Sequence, residues 1–392
     1  MKKIFAKIHL WLSVPFGIII TVVCLSGAAL VFESEITRAL QPRIYHVETP
    51  AGVQPLAPSQ LVARIGEQMP DSLHLTSLQL SARTDEPCMA AFGETGRKQL
   101  SVDPYTGRVN GWAESPAFFG TMRKLHRWLL DPPASKGEKS VGKVIVGVST
   151  LCLVAILVSG LILWIPRNRK ALRNRVKVSF SDGRRHLWHD CHVSLGFYTT
   201  LLLLVMALTG LTWSFGWYRT AAYALFGGSQ QTVAVQGNPS RAADSGDRKG
   251  RERSGGQAAD RKHGEARTEV EPPEFDYVVW DEVLSQLAVH YPVYKTIVLT
   301  RTEAQVGRQA AMRHTDRVAF DPRNGRLGEI TRYEDTSRQQ RLRGWFYAFH
   351  TGSWGGIWTK LLYFLAALIG ATLPLTGYYL WWKRVAGRRR TK

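Results

Sequence analysis

Four histidines stand in matched positions of this 392-residue chain. His9 opens His-Leu-Trp-Leu-Ser and is followed eighteen residues later by Gly27; His192 opens His-Val-Ser-Leu-Gly and is followed at the same distance by Gly210. His126 lies in Leu-His-Arg-Trp-Leu, and His350 in Phe-His-Thr-Gly-Ser-Trp. Neutral imidazole tolerates a low dielectric and is a good axial ligand for haem iron. Two such residues on facing helices can clamp one flat macrocycle, and two pairs at different depths can carry an electron in two steps. Spacing alone leaves the inner ligand open, because His189 and His186 lie one and two turns back on the face that carries His192.

A single interfacial histidine is more often an amphipathic anchor than a ligand, and that reading competes with the sharper one. The matched pairing favours ligands. His9, Ser13, Gly17 and Thr21 recur every fourth residue, as do His192, Gly196 and Thr200. Small residues there leave room for a macrocycle, although such stripes commonly mean close helix packing. His46, His74, His263, His290 and His314 follow no pattern and are read as solvated. The tryptophans read mainly as interfacial belts. Trp128 and Trp354, beside the outer histidines, are candidates for a docking surface, with Arg123 and Arg127 to attract an anionic ligand. The chain has no H-E-x-x-H, G-x-S-x-G or Walker-type loop, so protease, hydrolase and ATPase readings have no site. It has no C-x-x-C-H either, so haem would be held without a covalent link.

These residues need elements to position them, and the distribution of apolar residues supplies the elements. Residues 10–32, 144–166, 191–218 and 361–382 contain no Asp, Glu, Lys or Arg. Each is long enough to cross a bilayer core of about 30 Å as a helix. A soluble enzyme is excluded. The net charge of +20 is concentrated: the three short segments 1–9, 167–190 and 383–392 carry seventeen basic residues against Asp182 and Asp190. That is the positive-inside pattern with both ends cytoplasmic, and it leaves no folded basic module for nucleic acid. The expected order is TM1 10–32, outer domain 33–143, TM2 144–166, basic loop 167–190, TM3 191–218, outer domain 219–360, TM4 361–382 and a basic tail. The first run is read as a retained helix rather than a cleaved leader, because a copy of it recurs in TM3.

The chain repeats a helix–outer domain–helix unit. Leu-Ser-Gly27 matches Leu-Thr-Gly210, and Val-Ser-Gly160-Leu-Ile-Leu-Trp164 matches Leu-Thr-Gly377-Tyr-Tyr-Leu-Trp381. Val102-Asp-Pro-Tyr-Thr-Gly107 and Phe320-Asp-Pro-Arg-Asn-Gly325 are twin hairpin turns. Two like units in one orientation imply a pseudo-twofold axis along the membrane normal. Short amphipathic helices are expected near 58–65 and 280–290, each followed by strands. Residues 237–273, rich in Gly, Ser, Arg, Asp and Glu, are read as a flexible linker.

Taken together, His9-Leu-Trp-Leu, His126-Arg-Trp-Leu, Leu-Thr-Gly210, Ser-Gly160-Leu-Ile-Leu-Trp164 and the two Asp-Pro-x-[Thr/Asn]-Gly hairpins resemble the PepSY-associated transmembrane family over nearly the whole chain except the linker. One departure is Leu-Trp after His9, where the family often has Arg-Trp. The resemblance implies a membrane α-helical protein with four transmembrane helices and two α+β periplasmic PepSY-like domains. Four-helix members resemble inner-membrane ferric-siderophore reductases with two b-type haems. On that resemblance His9, His126, His192 and His350 match the family's repeated histidines. Some members carry a fused cytosolic flavoprotein domain; its lack in this sequence implies a separate electron donor.

The expectation is therefore an inner-membrane di-haem oxidoreductase. His9 and His192 would hold an inner haem, His126 and His350 an outer one, and the substrate would be a periplasmic ferric siderophore. The competing readings are a non-redox PepSY binding or regulatory protein, which would not need paired intramembrane histidines, and a siderophore or metal permease, which would need intramembrane charge and broken helices.

Overall fold

The computed structural model describes residues 1–96, 98–135, 138, 140–166, 168–181, 183–228, 275–308 and 314–390. The linker expected at 237–273 lies outside them.

Four helices among the described residues are long and apolar enough to cross a membrane. The first is α1 (Lys2–Val31), which leads into short helices α2 (Glu33–Leu40) and α3 (Pro42–Tyr45). Next come α4 (Pro58–Gln68), strands β1 (Leu75–Ser81), β2 (Cys88–Phe92), β3 (Gln99–Val102) and β4 (Val109–Ala113), helix α5 (Ala117–Trp128) and the second crossing helix, α6 (Val141–Trp164). After α7 (Arg169–Arg175) and α8 (Arg184–Asp190), a π-helical turn at Cys191–Leu195 runs into α9 (Gly196–Ser214), the third crossing, and then α10 (Gly216–Leu225). The order of the first half then recurs: α11 (Val278–His290), β5 (Thr296–Leu299), β6 (Glu303–Gly307), β7 (Thr315–Phe320), β8 (Leu327–Thr331), α12 (Arg338–Thr351) and the fourth crossing, α13 (Gly356–Arg390).

The helices overrun their apolar cores because charged residues at an interface continue the backbone ladder at no desolvation cost. Span three is shifted from its apolar run, starting at His186 and stopping at Ser214. Phe215 turns extended (φ −124°, ψ 126°) and ends α9 at Ser214, four residues short of Tyr218, where the apolar run ends. In the bundle α1 packs on α6 and α13, and α9 packs on the same two helices. Lys2 Nζ donates to the Ile165 carbonyl at 2.8 Å, and Lys360 pairs with Glu35 at 2.6 Å, so α1 runs antiparallel to both neighbours. Both described chain ends lie on one side of the bundle, here the terminus side. The strands lie on the other, the sheet side.

The strands of the two halves form one continuous sheet rather than two separate domains, in the order β4-β3-β2-β1-β5-β6-β7-β8. The seam is the antiparallel pair β1–β5, with Leu78 opposite Leu299 and Leu80 opposite Ile297. One core runs through both halves. Leu61, Leu78, Leu100, Trp280, Val283, Ile297 and Val306 are essentially inaccessible. An edge strand left open at β1 or β5 would expose an apolar ladder to pairing with other chains, and the seam closes both. Helix α4 starts with Pro58 in its first turn and the Gln60 side chain accepting from the Ala57 N–H; Leu61 and Ile65 then fall on one face. Helix α11 buries Val279, Trp280, Val283 and Leu287 on the same core. Asp281 accepts from the Ser59 N–H at 2.8 Å and from its hydroxyl, tying the two helices together. Both hairpin turns form as expected. Gly107 (φ +72°) and Gly325 (φ +71°) adopt the left-handed conformation, and each N–H returns to the aspartate carbonyl four residues back at 2.9 Å.

Candidate functional site

The four repeated histidines meet as two pairs. His9 on α1 faces His192 in the π-helical turn before α9, with ring centroids 6.2 Å apart and planes at 88°. His126 on α5 faces His350 on α12, with centroids 6.1 Å apart and planes at 54°. The first pair is on the terminus side and the second on the sheet side. Along α1 from His9 to Gly27, and along α9 from His192 to Gly210, the levels are eighteen residues apart, or about 27 Å of helix.

Each ring is held the same way by a neighbouring helix. His9 Nδ1 bonds the Ile156 carbonyl at 3.0 Å, and His192 Nδ1 the Leu373 carbonyl at 3.2 Å. His126 Nδ1 bonds the Val23 carbonyl at 2.8 Å, and His350 Nδ1 the Met206 carbonyl at 2.9 Å. In every case that carbonyl lies four residues before a glycine preceded by Ser or Thr: Ser159-Gly160, Thr376-Gly377, Ser26-Gly27 and Thr209-Gly210. The glycine forms a notch against the ring edge. A Cβ added at Gly27 would come within 2.8 Å of His126 Cε1, at Gly210 within 3.0 Å of His350 Cε1, and at Gly160 within 3.2 Å of His9 Cε1. Three of the hydroxyls add a second acceptor: Thr376 Oγ1 at 2.8 Å from His192 Nδ1, Ser159 Oγ at 3.2 Å from His9 Nδ1, and Thr209 Oγ1 at 3.3 Å from His350 Nδ1.

A carbonyl oxygen only accepts, so Nδ1 carries the hydrogen in all four rings. Nε2 is left with its lone pair, which fixes the ligating tautomer. Two imidazoles sharing one metal ion would have centroids roughly 6.3 Å apart, from about 2.0–2.1 Å per metal–nitrogen bond and about 1.1 Å from ring centre to nitrogen. Both observed separations match that span. Among the described residues no group of three or more His, Cys, Asp or Glu side chains is placed to hold a metal ion, so each pair supplies two ligands and no more. The arrangement suits an ion that brings its remaining ligands with it.

The other sequence candidates fall elsewhere. His186 and His189 are exposed on α8 and lie beside Asp190, at 3.6 and 3.3 Å; neither faces His9. Gly17 abuts Tyr378 and Pro374, Thr21 donates to the Ala371 carbonyl at 3.0 Å, and Gly196 lies against Leu373. The small-residue stripes therefore pack helices, chiefly α1 on α13, instead of making room for a macrocycle. Arg123 is engaged by Glu33, and the Arg127 guanidinium lies 4.3 Å over the Trp128 ring. Trp354 rests against Phe349 with 44% of its surface exposed, and Arg127 is exposed as well. His46 and His74 lie beside Asp85 and Glu94, His290 is exposed, His314 stacks on Tyr333, and His263 is outside the described residues.

Sequence reasoning missed what the Ser/Thr-Gly motifs do. They mark the repeat, and their spacing was available, but nothing in one dimension says that each glycine receives a histidine from another helix. The π-helical turn under His192 carried no signal at all; such turns are rare and concentrate at functional sites.

The profile of the PepSY-associated TM region matches residues 6–384 of the chain. No curated protein matches it.

Proposed function

The chain belongs to the PepSY-associated transmembrane family, and on that premise we propose that it is an inner-membrane oxidoreductase. In this reading it moves electrons from a cytoplasmic donor to a ferric siderophore on the periplasmic side, with a non-covalent b-type haem at each histidine pair. The observation that carries the reading is the donor set: two imidazoles per site, Nδ1 committed to a carbonyl, Nε2 free, and centroids 6.2 and 6.1 Å apart. A bare divalent ion at such a site would lack ligands, whereas a tetrapyrrole contributes four nitrogens and needs two axial partners.

Bis-imidazole haem supplies one-electron carriage. The protein's part is to orient and tune. The Nδ1–H···O=C bonds raise the basicity of each Nε2 and stop the rings from rotating. The two levels divide the apolar thickness, so that neither step has to cross all of it. The basic terminus-side segments support a cytoplasmic orientation for that end. At the sheet side the substrate iron gains one electron, Fe³⁺ to Fe²⁺, for each electron the donor loses. Hard-oxygen chelators hold the trivalent ion far better, so reduction frees the metal.

The test is an absorption spectrum of detergent-purified protein, oxidised and then reduced, with a haem-to-protein ratio. The expected ratio is near two, falling to near one in His126→Ala or His350→Ala, with a ferric hydroxamate reoxidising the reduced protein. A colourless preparation from haem-replete cells rejects the reading in favour of a non-redox PepSY binding protein, and full haem in both variants rejects the assignment of His126 and His350 as its ligands.

A further inference from the structure

Trp164 Nε1 is one of a few buried side-chain polar atoms, among the described residues, with no hydrogen-bond partner. The indole nitrogen only donates, and a buried donor without an acceptor costs free energy that packing does not return. Its position is fixed. The ring stacks on Phe197 with centroids 3.6 Å apart and planes at 5°. Trp164 is four residues past Gly160, hence one turn beyond the His9 notch on the same face of α6, and Phe197 is five residues past His192. Trp381, which holds the same place after Gly377, is 39% exposed and belongs to the interfacial belt. Belt tryptophans keep their N–H among water and headgroups, so an inaccessible N–H on this half-buried ring calls for another explanation.

The surroundings favour an anion. Helix α6 ends here, and its unpaired carbonyls would repel negative charge. They are capped instead by cations: the Arg175 guanidinium donates to the Leu163 carbonyl at 2.9 Å and to that of Trp164, and Lys2 donates to the Ile165 carbonyl at 2.8 Å. The negative end of the helix is thereby neutralised beside an unsatisfied donor.

We propose that Trp164 is a positioning residue whose Nε1–H donates to a carboxylate of the tetrapyrrole held by His9 and His192, with Arg175 and Lys2 supplying compensating charge. This rests on the haem reading above and adds that the inner macrocycle is seated with its acidic edge toward the terminus side.

The experiment uses the full-length, detergent-purified protein. Haem loss to apomyoglobin is followed in wild type, in Trp164→Phe, and in wild type loaded with haem dimethyl ester, whose carboxylates are blocked. Ultraviolet resonance Raman reports the indole N–H hydrogen-bond marker as the wild type minus Trp164→Phe difference. The expected result is release of one of the two haems about tenfold faster in the variant and from the ester-loaded protein, with the other haem unchanged as the control for folding, and a marker frequency typical of a bonded indole. Wild-type release in both, or an unbonded marker, overturns the assignment while leaving two haems and the proposed function in place. Should Trp164→Phe lose both haems, the ester-loaded wild type decides alone. Wild type without haem overturns both readings.

Discussion

At the residue scale, the device that recurs is a histidine edge seated against a helical glycine. Alanine is a better helix former than glycine by about 1 kcal/mol, so glycine at four interior helix positions calls for a reason, and the close ring supplies one. The added Cβ would meet the ring at 2.8 Å for Gly27, 3.0 Å for Gly210, 3.2 Å for Gly160 and 3.5 Å for Gly377. Alanine substitutions should therefore be graded. On the haem reading proposed above, Gly27→Ala should loosen the haem at the sheet-side pair by about tenfold or more, within the range of ligand-orienting groups, with Gly210→Ala next, Gly160→Ala milder and Gly377→Ala close to wild type. Haem retention on a desalting column orders the series. Equal behaviour of Gly27→Ala and Gly377→Ala would contradict the notch. The histidines and the glycines were both visible in the sequence as repeat markers. Their union was not, because partners 147 residues apart, as His9 and Ile156 are, share no local pattern.

At the scale of elements, the sheet is fastened to its final turn by one buried acid. Asp316 on β7 is 1% exposed and accepts from Arg308 Nη2 at 2.8 Å, Tyr291 Oη at 3.1 Å and the Tyr333 N–H at 2.9 Å. Burial alone would push its carboxyl up, but the Tyr333 N–H, the Arg308 guanidinium and the Tyr291 hydroxyl outweigh burial and hold it below the usual carboxylate range. Burial foremost, then the Asp316 charge and its hydrogen bond, push the Tyr291 phenol up to about 12, against the opposing pull of Arg308 and Arg332. A folded-state pKa below the unfolded value means that the carboxylate stabilises fully above the unfolded pKa of about 3.9 and that this contribution is lost as pH falls through the folded value. Asp316→Asn should cost about 2–3 kcal/mol at pH 7, since it leaves Arg308 without its buried partner. The deficit should shrink below about pH 4. Circular dichroism melts at the two pH values measure it, and an unchanged melt at pH 7 would rule out the role. The hairpins and the two amphipathic helices of this region were legible from Asp-Pro-x-x-Gly and 3.6-residue periodicity. This network was not, since its members come from four different segments.

At the scale of the molecule, the seam between β1 and β5 makes one body of two halves. Leu78, Leu80, Ile297 and Leu299 are all buried at or beside that seam, and α1 and α9 each pack on α6 and α13. Each half therefore completes the other both in the sheet and in the bundle, and each histidine pair takes one ring from each half. Cutting the chain at a protease site placed at Gly255 should leave two fragments that co-elute in detergent with an unchanged absorption spectrum. Fragments that separate, or an absorption spectrum changed on cleavage, would mean that covalent continuity is needed and that the seam is weaker than its burial suggests.

By itself, the sequence determined what depends on composition and short-range order. Four spans follow from uninterrupted apolar runs, the orientation expected for them from lysine and arginine counts, the turns from glycine and proline, and the four histidines from internal repetition. The tertiary structure decided what depends on which surfaces meet. It brought His9 against His192 and His126 against His350, the pairs expected, while turning His186 and His189 away, and it gave the small-residue stripes to helix packing. It also fused two expected domains into one sheet. Periodicity identifies the face of an element that must be buried, but several partners can bury it equally well. The choice among them is made only when the whole core closes.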